Sequence, residues 1–221
     1  MTTVVLIPGA WVGAWIWEPV AAELERHGHT VFALTLSGLD GQAQSEANLD
    51  DHVADVVTFL SDHDLDDVVL CAHSYSGMVL RGVCDAVPQR CRGAIYIDGF
   101  LPETGESVWM LLGDDTKKAF MAAVSGDGRY VLPPPGSHPR ATPHPAASLL
   151  QGSRAGHLRT DIRHGYIYAT GAHGSPFTVA YNRLKLDPHW ETYEIDGHHE
   201  VVRYNPIPLA DLLQKILLNW G

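Results

Sequence analysis

Two stretches of this chain, Val4-Val5-Leu6-Ile7 and Val68-Val69-Leu70-Cys71-Ala72, are apolar without interruption. A strand with one face in water alternates apolar and polar residues, whereas a strand with no polar side must be covered on both faces. The chain is therefore expected to bury a sheet between two layers of helices, and the intervening sequence supplies them. Pro19 opens a helix that carries Val20 and Leu24 and is closed by His27-Gly28-His29. From Leu49 onward, Val53, Val56, Val57 and Leu60 share one side of another, and Met78, Val79 and Val83 return at helical spacing in a third. Further buried strands are expected at 30–36, 93–97, 165–169 and 190–195, with helices at 177–184 and 207–220. Such alternation specifies the α/β class: a mostly parallel, doubly wound sheet with helices on both faces and its site at the carboxyl ends of the strands.

The pattern fails once, between residues 101 and 161. Helical spacing there is short (107–112 and 116–124) and is followed by Pro133-Pro134-Pro135-Gly136. Trp109, Met110, Leu111, Leu112 and Phe120 are too apolar for a solvated loop, so 101–161 reads as a cap or lid inserted at a strand's carboxyl end, within a single domain spanning 1–221. The segment 37–47 reads as a polar loop. With 26 acidic against 15 basic residues the net charge is −11, and no basic run offsets it, which argues against nucleic-acid and anionic-membrane partners. No apolar run approaches the roughly 18 residues of a membrane span, and no basic, then apolar, leader precedes the first strand. A soluble cytoplasmic protein with a small-molecule substrate is expected, and the residue pattern leaves a homodimer open. Cys71, Cys84 and Cys91 lack metal-binding spacing and read as reduced thiols. No metal or organic cofactor is implied, because the histidines are scattered and neither His-Glu-x-x-His nor a paired-Cys pattern occurs.

The chemistry concentrates where the run 68–72 meets its helix. Ser74 stands at that strand-to-helix turn, within Ala72-His73-Ser74-Tyr75-Ser76. A tight turn there exposes the hydroxyl above the sheet and points the first N–H groups of the helix at whatever binds. The usual elbow reads Gly-x-Ser-x-Gly; Ala72 and Ser76 are the smallest replacements for its glycines. A serine at such a turn also serves as an ordinary N-cap, and the elbow taken alone does not separate the two readings. A nucleophilic serine needs a base within hydrogen-bond reach. Of 13 histidines, His199 in Ile195-Asp196-Gly197-His198-His199-Glu200 follows the last expected strand, where this fold class would supply the base, and His198 reads as a surface or supporting imidazole.

Taken together, Pro8-Gly9-Ala10-Trp11-Val12-Gly13-Ala14-Trp15-Ile16-Trp17, Ala72 to Met78, Tyr96 to Glu106, Thr142-Pro143-His144-Pro145 and Gly197-His198-His199 resemble the α/β-hydrolase superfamily nearly end to end. The likeness is to the small branch of plant methylesterases and hydroxynitrile lyases and their bacterial esterase-like relatives. It implies Ser74 as nucleophile, His199 as base, and backbone N–H groups of Ala10 and Tyr75 as the oxyanion hole. The family's usual acid follows the strand at 165–169, but Thr170-Gly171-Ala172-His173-Gly174 has no carboxylate there, and Asp187 lies beyond the next helix. Asp98, at the end of the preceding strand, is the favoured substitute, with Asp196, Glu200 or no acid as alternatives. Lyases of the branch usually carry Thr where this chain has Gly9 and Lys where it has Glu200, which disfavours cyanide chemistry. The expectation is a serine hydrolase for small apolar or aromatic carboxylic esters or lactones, acting through an acyl-Ser74 intermediate. Trp11, Trp109, Met110, Phe120 and Tyr75 would line its pocket, while Trp15 and Trp17 pack the core. The alternatives are a non-hydrolytic relative (lyase, decarboxylase or cyclase) or a catalytically silent binding protein.

Overall fold

The structure, a computed structural model, describes residues 1–41, 46–171 and 175–221. Part of the polar loop expected at 37–47 and part of the segment following residue 169 lie outside the described residues. Among them, β1 (Thr3–Ile7), β2 (Thr30–Ala33), β3 (Val68–His73), β4 (Cys91–Ile97), β7 (Arg163–Ala169) and β8 (Trp190–Ile195) form one parallel sheet in the order β2-β1-β3-β4-β7-β8. The uninterrupted apolar runs are its central strands, where every residue of β3 is buried.

Alternate residues of each strand feed two cores. Val4, Leu6, Val69, Cys71, Ile95 and Ile97 face α1 (Glu18–Arg26) and α9 (Pro206–Trp220), while Val5, Ile7, Leu70, Ala72, Ala94 and Tyr96 face α2 (Leu49–Asp62), α3 (Ser76–Ala86) and α7 (Pro176–Leu184). Gly93 and Gly165, on neighbouring strands, leave room for the Trp220 ring, and a Cβ on Gly93 would sit 2.4 Å from it. Asn48 starts α2 with a reciprocal cap: its side chain accepts from Asp51 N–H (3.1 Å) and its own N–H donates to the Asp51 carboxylate (2.9 Å).

Two expectations need correction. The strand expected as buried over 30–36 ends at Ala33 and is half-buried throughout, because it forms a sheet edge. Trp17 is fully buried, but Trp15 is a half-buried surface ring against His138 (4.4 Å) and the Arg140 guanidinium (4.9 Å) rather than a core residue. The three cysteines are free and buried.

Between β4 and β7 the chain leaves the sheet. It forms α4 (Val108–Leu111), capped by the Ser107 side chain, then α5 (Asp114–Ala123) with two acidic residues in its first turn. A small antiparallel pair, β5 (Tyr130–Val131) with β6 (His144–Pro145), leads into α6 (Ala146–Leu150). This pair, α6 and the short α8 (Val201–Tyr204) have no periodic signal long enough to read from sequence. Among the described residues no helix is long and apolar enough to cross a membrane.

Candidate active site

The turn between β3 and α3 holds Ser74 at φ 57°, the left-handed region that an L-residue occupies only when its surroundings impose it. Those surroundings are backbone bonds: Ser74 N–H donates to Ile97 O (3.2 Å), and Ser74 O accepts from both Gly77 N–H (3.1 Å) and Phe100 N–H (3.1 Å). The approach is so close that a Cβ on Gly77 would lie 2.0 Å from Phe100 O. Ser76, at the position an elbow glycine would fill, donates its hydroxyl to Pro8 O and so ties the elbow to the turn after β1.

His199, after β8, reaches back across the strand ends. Its Nε2 lies 2.9 Å from Ser74 Oγ and its Nδ1 2.6 Å from Asp98 Oδ2. Asp98 is fully buried at the end of β4, and its other carboxylate oxygen accepts from Ala169 N–H (3.2 Å). With Nδ1–H donated to Asp98, Nε2 presents a lone pair to the Ser74 hydroxyl, so the trio can move a proton off the serine and stabilise the resulting imidazolium. The His199 ring stacks on Phe177 (centroids 4.8 Å, planes 4° apart) and lies against His73 on β3 (4.8 Å). His73 Nε2–H donates to His199 O (2.9 Å). Burial first, and then the neighbouring His199, push the His73 pKa down to about 3 against the pull of that hydrogen bond, so His73 brings no charge to the base.

Among the described residues, none of the other acids considered bonds to His199. Asp196 is exposed, Asp187 accepts from His189 N–H (2.9 Å), and Glu200 pairs with Arg203 at 3.5 Å. The usual acid position extends into 172–174, outside the described residues. His198 is exposed.

Beside Ser74 and His199 opens a cavity of about 160 Å³, walled by Ala10, Trp11, Ile16, His138, Ala141 and Val202 among others. Among the described residues the backbone N–H groups of Ala10 and Tyr75 take no hydrogen-bond partner, which leaves them available to a ligand oxygen. Of the aromatic residues expected to line the pocket, Trp11 does. Trp109, Met110 and Phe120 do not: Trp109 packs on Phe120 within the 101–161 segment (5.6 Å), Phe120 is buried there, and Met110 is 59% exposed. The Tyr75 ring turns away into the core. Trp109 and Phe120 instead pack with the core cluster beneath that segment. Sequence reasoning assigned no role to His73, and none to His144 although its motif was noted. Among the described residues, potential metal ligands converge at Glu23 of α1, His27 just after it and Asp211 of α9, none of which lines the cavity.

Comparison with known proteins matches this architecture. Residues 4–214 fit the Alpha/beta hydrolase family. A carbendazim hydrolyzing esterase of a Nocardioides species is 39% identical over 115 residues, 51% of this chain and 48% of that protein. Methylesterase 7 of Arabidopsis thaliana is 32% identical over 131 residues, 55% and 50% of the two chains. The chain thus spans about half the length of these relatives. An extracellular alpha/beta-hydrolase from a Paenibacillus species superposes with TM-score 0.83 at 24% identity, covering 97% of this chain and 98% of that one. The superposition agrees with the fold, and the family match, running from the first strand into the last helix, makes this chain a member of the alpha/beta hydrolase family.

Proposed function

We propose that this protein is a serine esterase that hydrolyses small carboxylic esters or lactones through an acyl-Ser74 intermediate. The observation that carries the reading is the continuous pair of hydrogen bonds, Ser74 Oγ to His199 Nε2 (2.9 Å) and His199 Nδ1 to Asp98 Oδ2 (2.6 Å). As Ser74 Oγ attacks the ester carbonyl, His199 takes its proton and the carbonyl oxygen becomes an oxyanion facing the Ala10 and Tyr75 N–H groups. His199 then protonates the departing alkoxide. Water enters, His199 removes its proton as the oxygen attacks the acyl carbon, and His199 returns that proton to Ser74 Oγ as the acyl–oxygen bond breaks, so ester plus water gives acid plus alcohol. Buried Asp98 keeps Nδ1 protonated throughout. A loss of one oxyanion donor in such sites typically costs about 10²–10³ in rate.

Size favours small substrates, since drug-sized ligands occupy pockets of roughly 300–1,000 Å³ and this cavity has about 160 Å³. The esterase names of the relatives support the reaction class. At the cavity rim Glu200 pairs with Arg203, which leaves no net positive charge to receive a departing anion and weighs against a lyase. The test is intact-mass analysis after treatment with a fluorophosphonate probe, together with turnover of a panel of methyl and aryl esters. One adduct is expected on the wild type, none on Ser74→Ala, and a strongly slowed one on His199→Ala. A folded wild type that neither forms the adduct nor turns over any ester would overturn the proposal.

A further inference from the structure

Behind the elbow lies a group of polar aromatic side chains that the reaction above does not use. His52 of α2 and His144 of β6 have no exposed surface, and Tyr75 has 1%. Their rings meet edge to face, with centroids 5.6 Å apart for His52 and Tyr75, 4.7 Å for Tyr75 and His144, and 5.8 Å for the two histidines. The hydrogen bonds assign the tautomers of both histidines. His52 Nε2–H donates to Ser37 O (2.9 Å), so its Nδ1 accepts from the Tyr75 hydroxyl (2.7 Å). The Ser148 hydroxyl donates to Pro145 O (2.8 Å), so its oxygen accepts from His144 Nε2–H (2.8 Å), and His144 Nδ1 is left to accept the backbone N–H of Trp11 (3.3 Å).

Trp11 directly follows Ala10, and its φ of 65° is one that a tryptophan does not adopt unaided. Three further contacts with the 101–161 segment accompany that conformation. Besides the N–H bond to His144, Trp11 O accepts from Thr142 N–H (2.9 Å) and the indole N–H donates to Val131 O (2.9 Å), while the ring meets the His144 ring edge-on at 6.1 Å. The backbone that carries the Ala10 N–H is thus set by the 101–161 segment as well as by the sheet. Tyr75, which carries the other free N–H, packs against the same imidazole.

We propose that His144 is a positioning residue of the esterase site: by accepting the Trp11 amide it aims the Ala10 N–H at the substrate's carbonyl oxygen, so that the oxyanion hole is complete only when the 101–161 segment is seated. The proposal rests on the esterase reading. Because a developing oxyanion exists only after attack, misalignment of this donor slows turnover without weakening ground-state binding.

The test compares His144→Asn, His144→Gln and His144→Leu with p-nitrophenyl acetate as substrate. An Asn side-chain oxygen takes the place of Nδ1 and can accept the Trp11 amide. Gln reaches Ser148 but puts no acceptor where Nδ1 was, and Leu provides neither. The expected result is a kcat lowered about 10–100-fold in the Gln and Leu variants, part of the ~10²–10³ that an absent donor costs, with KM within about threefold and with Asn restoring kcat to within about fivefold of wild type. Equal kcat in all folded variants, or a Gln variant faster than the Asn variant, would overturn it. Should the variants fail to fold, hydrogen exchange of the Trp11 amide in the wild type decides: protection over hours is expected, and exchange within minutes overturns the proposal. A wild type with neither ester turnover nor a fluorophosphonate adduct defeats the esterase reading and this inference with it, whereas an active wild type with indifferent variants defeats only this inference.

Discussion

Ser74 and Gly77 illustrate how a few residues carry the local geometry. The left-handed backbone at Ser74 is held by bonds to Ile97, Gly77 and Phe100, and that crossing leaves no space for a side chain at residue 77. Gly77→Ala places a Cβ against a backbone oxygen that cannot rotate away, so a loss of more than about 3 kcal/mol in urea unfolding is expected, with the probe adduct at Ser74 lost as well. A fully active, equally stable variant would contradict the geometry. Asp98→Asn is nearly isosteric, but an amide cannot stabilise the imidazolium and can favour the wrong tautomer of His199. A kcat lower by about 10⁴, with the thermal midpoint little changed, is the expected outcome of steady-state kinetics and a melting curve run side by side. Ser74 and His199 were legible from their place at strand ends. Asp98 was only the best of several acids in sequence, because its use depends on β4 lying beside both β3 and β7, and sequence order does not state which strands are neighbours.

Among the elements, α2 and α9 show two ways of being specified. The first is written locally: Asn48 and Asp51 cap each other, and Asn48→Ala is expected to cost about 1 kcal/mol in a urea titration while leaving the rate of fluorophosphonate labelling unchanged. The second depends on distant residues. Trp220 at the end of α9 lies over Gly93 and Gly165 of β4 and β7, positions at which a side chain would collide with it. Gly93→Ala should therefore destabilise by about 1–3 kcal/mol, and pairing it with Trp220→Leu should recover part of that loss, a coupling that a double-mutant cycle measures. Strict additivity would mean that the two residues do not share this contact. The strands were readable as short uninterrupted apolar runs, and the long helices because each repeats its apolar residues over two or more turns. The β5–β6 pair has two residues per strand, too few for any period, and exists because Trp11 and the elbow give it something to pack against.

For the whole molecule, buried neutral histidines link stability to pH. Burial lowers the pKa of His73 to about 3 and also lowers those of His52 and His144, the last well below its ordinary value. Between pH 6.5 and those lowered values the unfolded chain binds protons that the folded chain refuses, so stability is complete above about pH 6.5 and declines as the pH falls. His73 can remove up to about 1.4 kcal/mol between pH 7.5 and 5.5, a range in which ordinary carboxylates barely titrate, and His52 and His144 act in the same direction. Urea midpoints at those two pH values check this, and no loss of stability on acidification would contradict it. Sequence alone determined the layered α/β plan, since uninterrupted apolar strands admit no arrangement with an open face, and it singled out Ser74 and His199 as candidates at strand carboxyl ends without stating that the two would meet. Tertiary structure alone decided which carboxylate bonds to His199, which aromatic residues border the cavity, and what the buried histidines hold. Those outcomes follow from strand order and from contacts between residues more than a hundred positions apart, where hydrogen-bond geometry, not local periodicity, selects the partner.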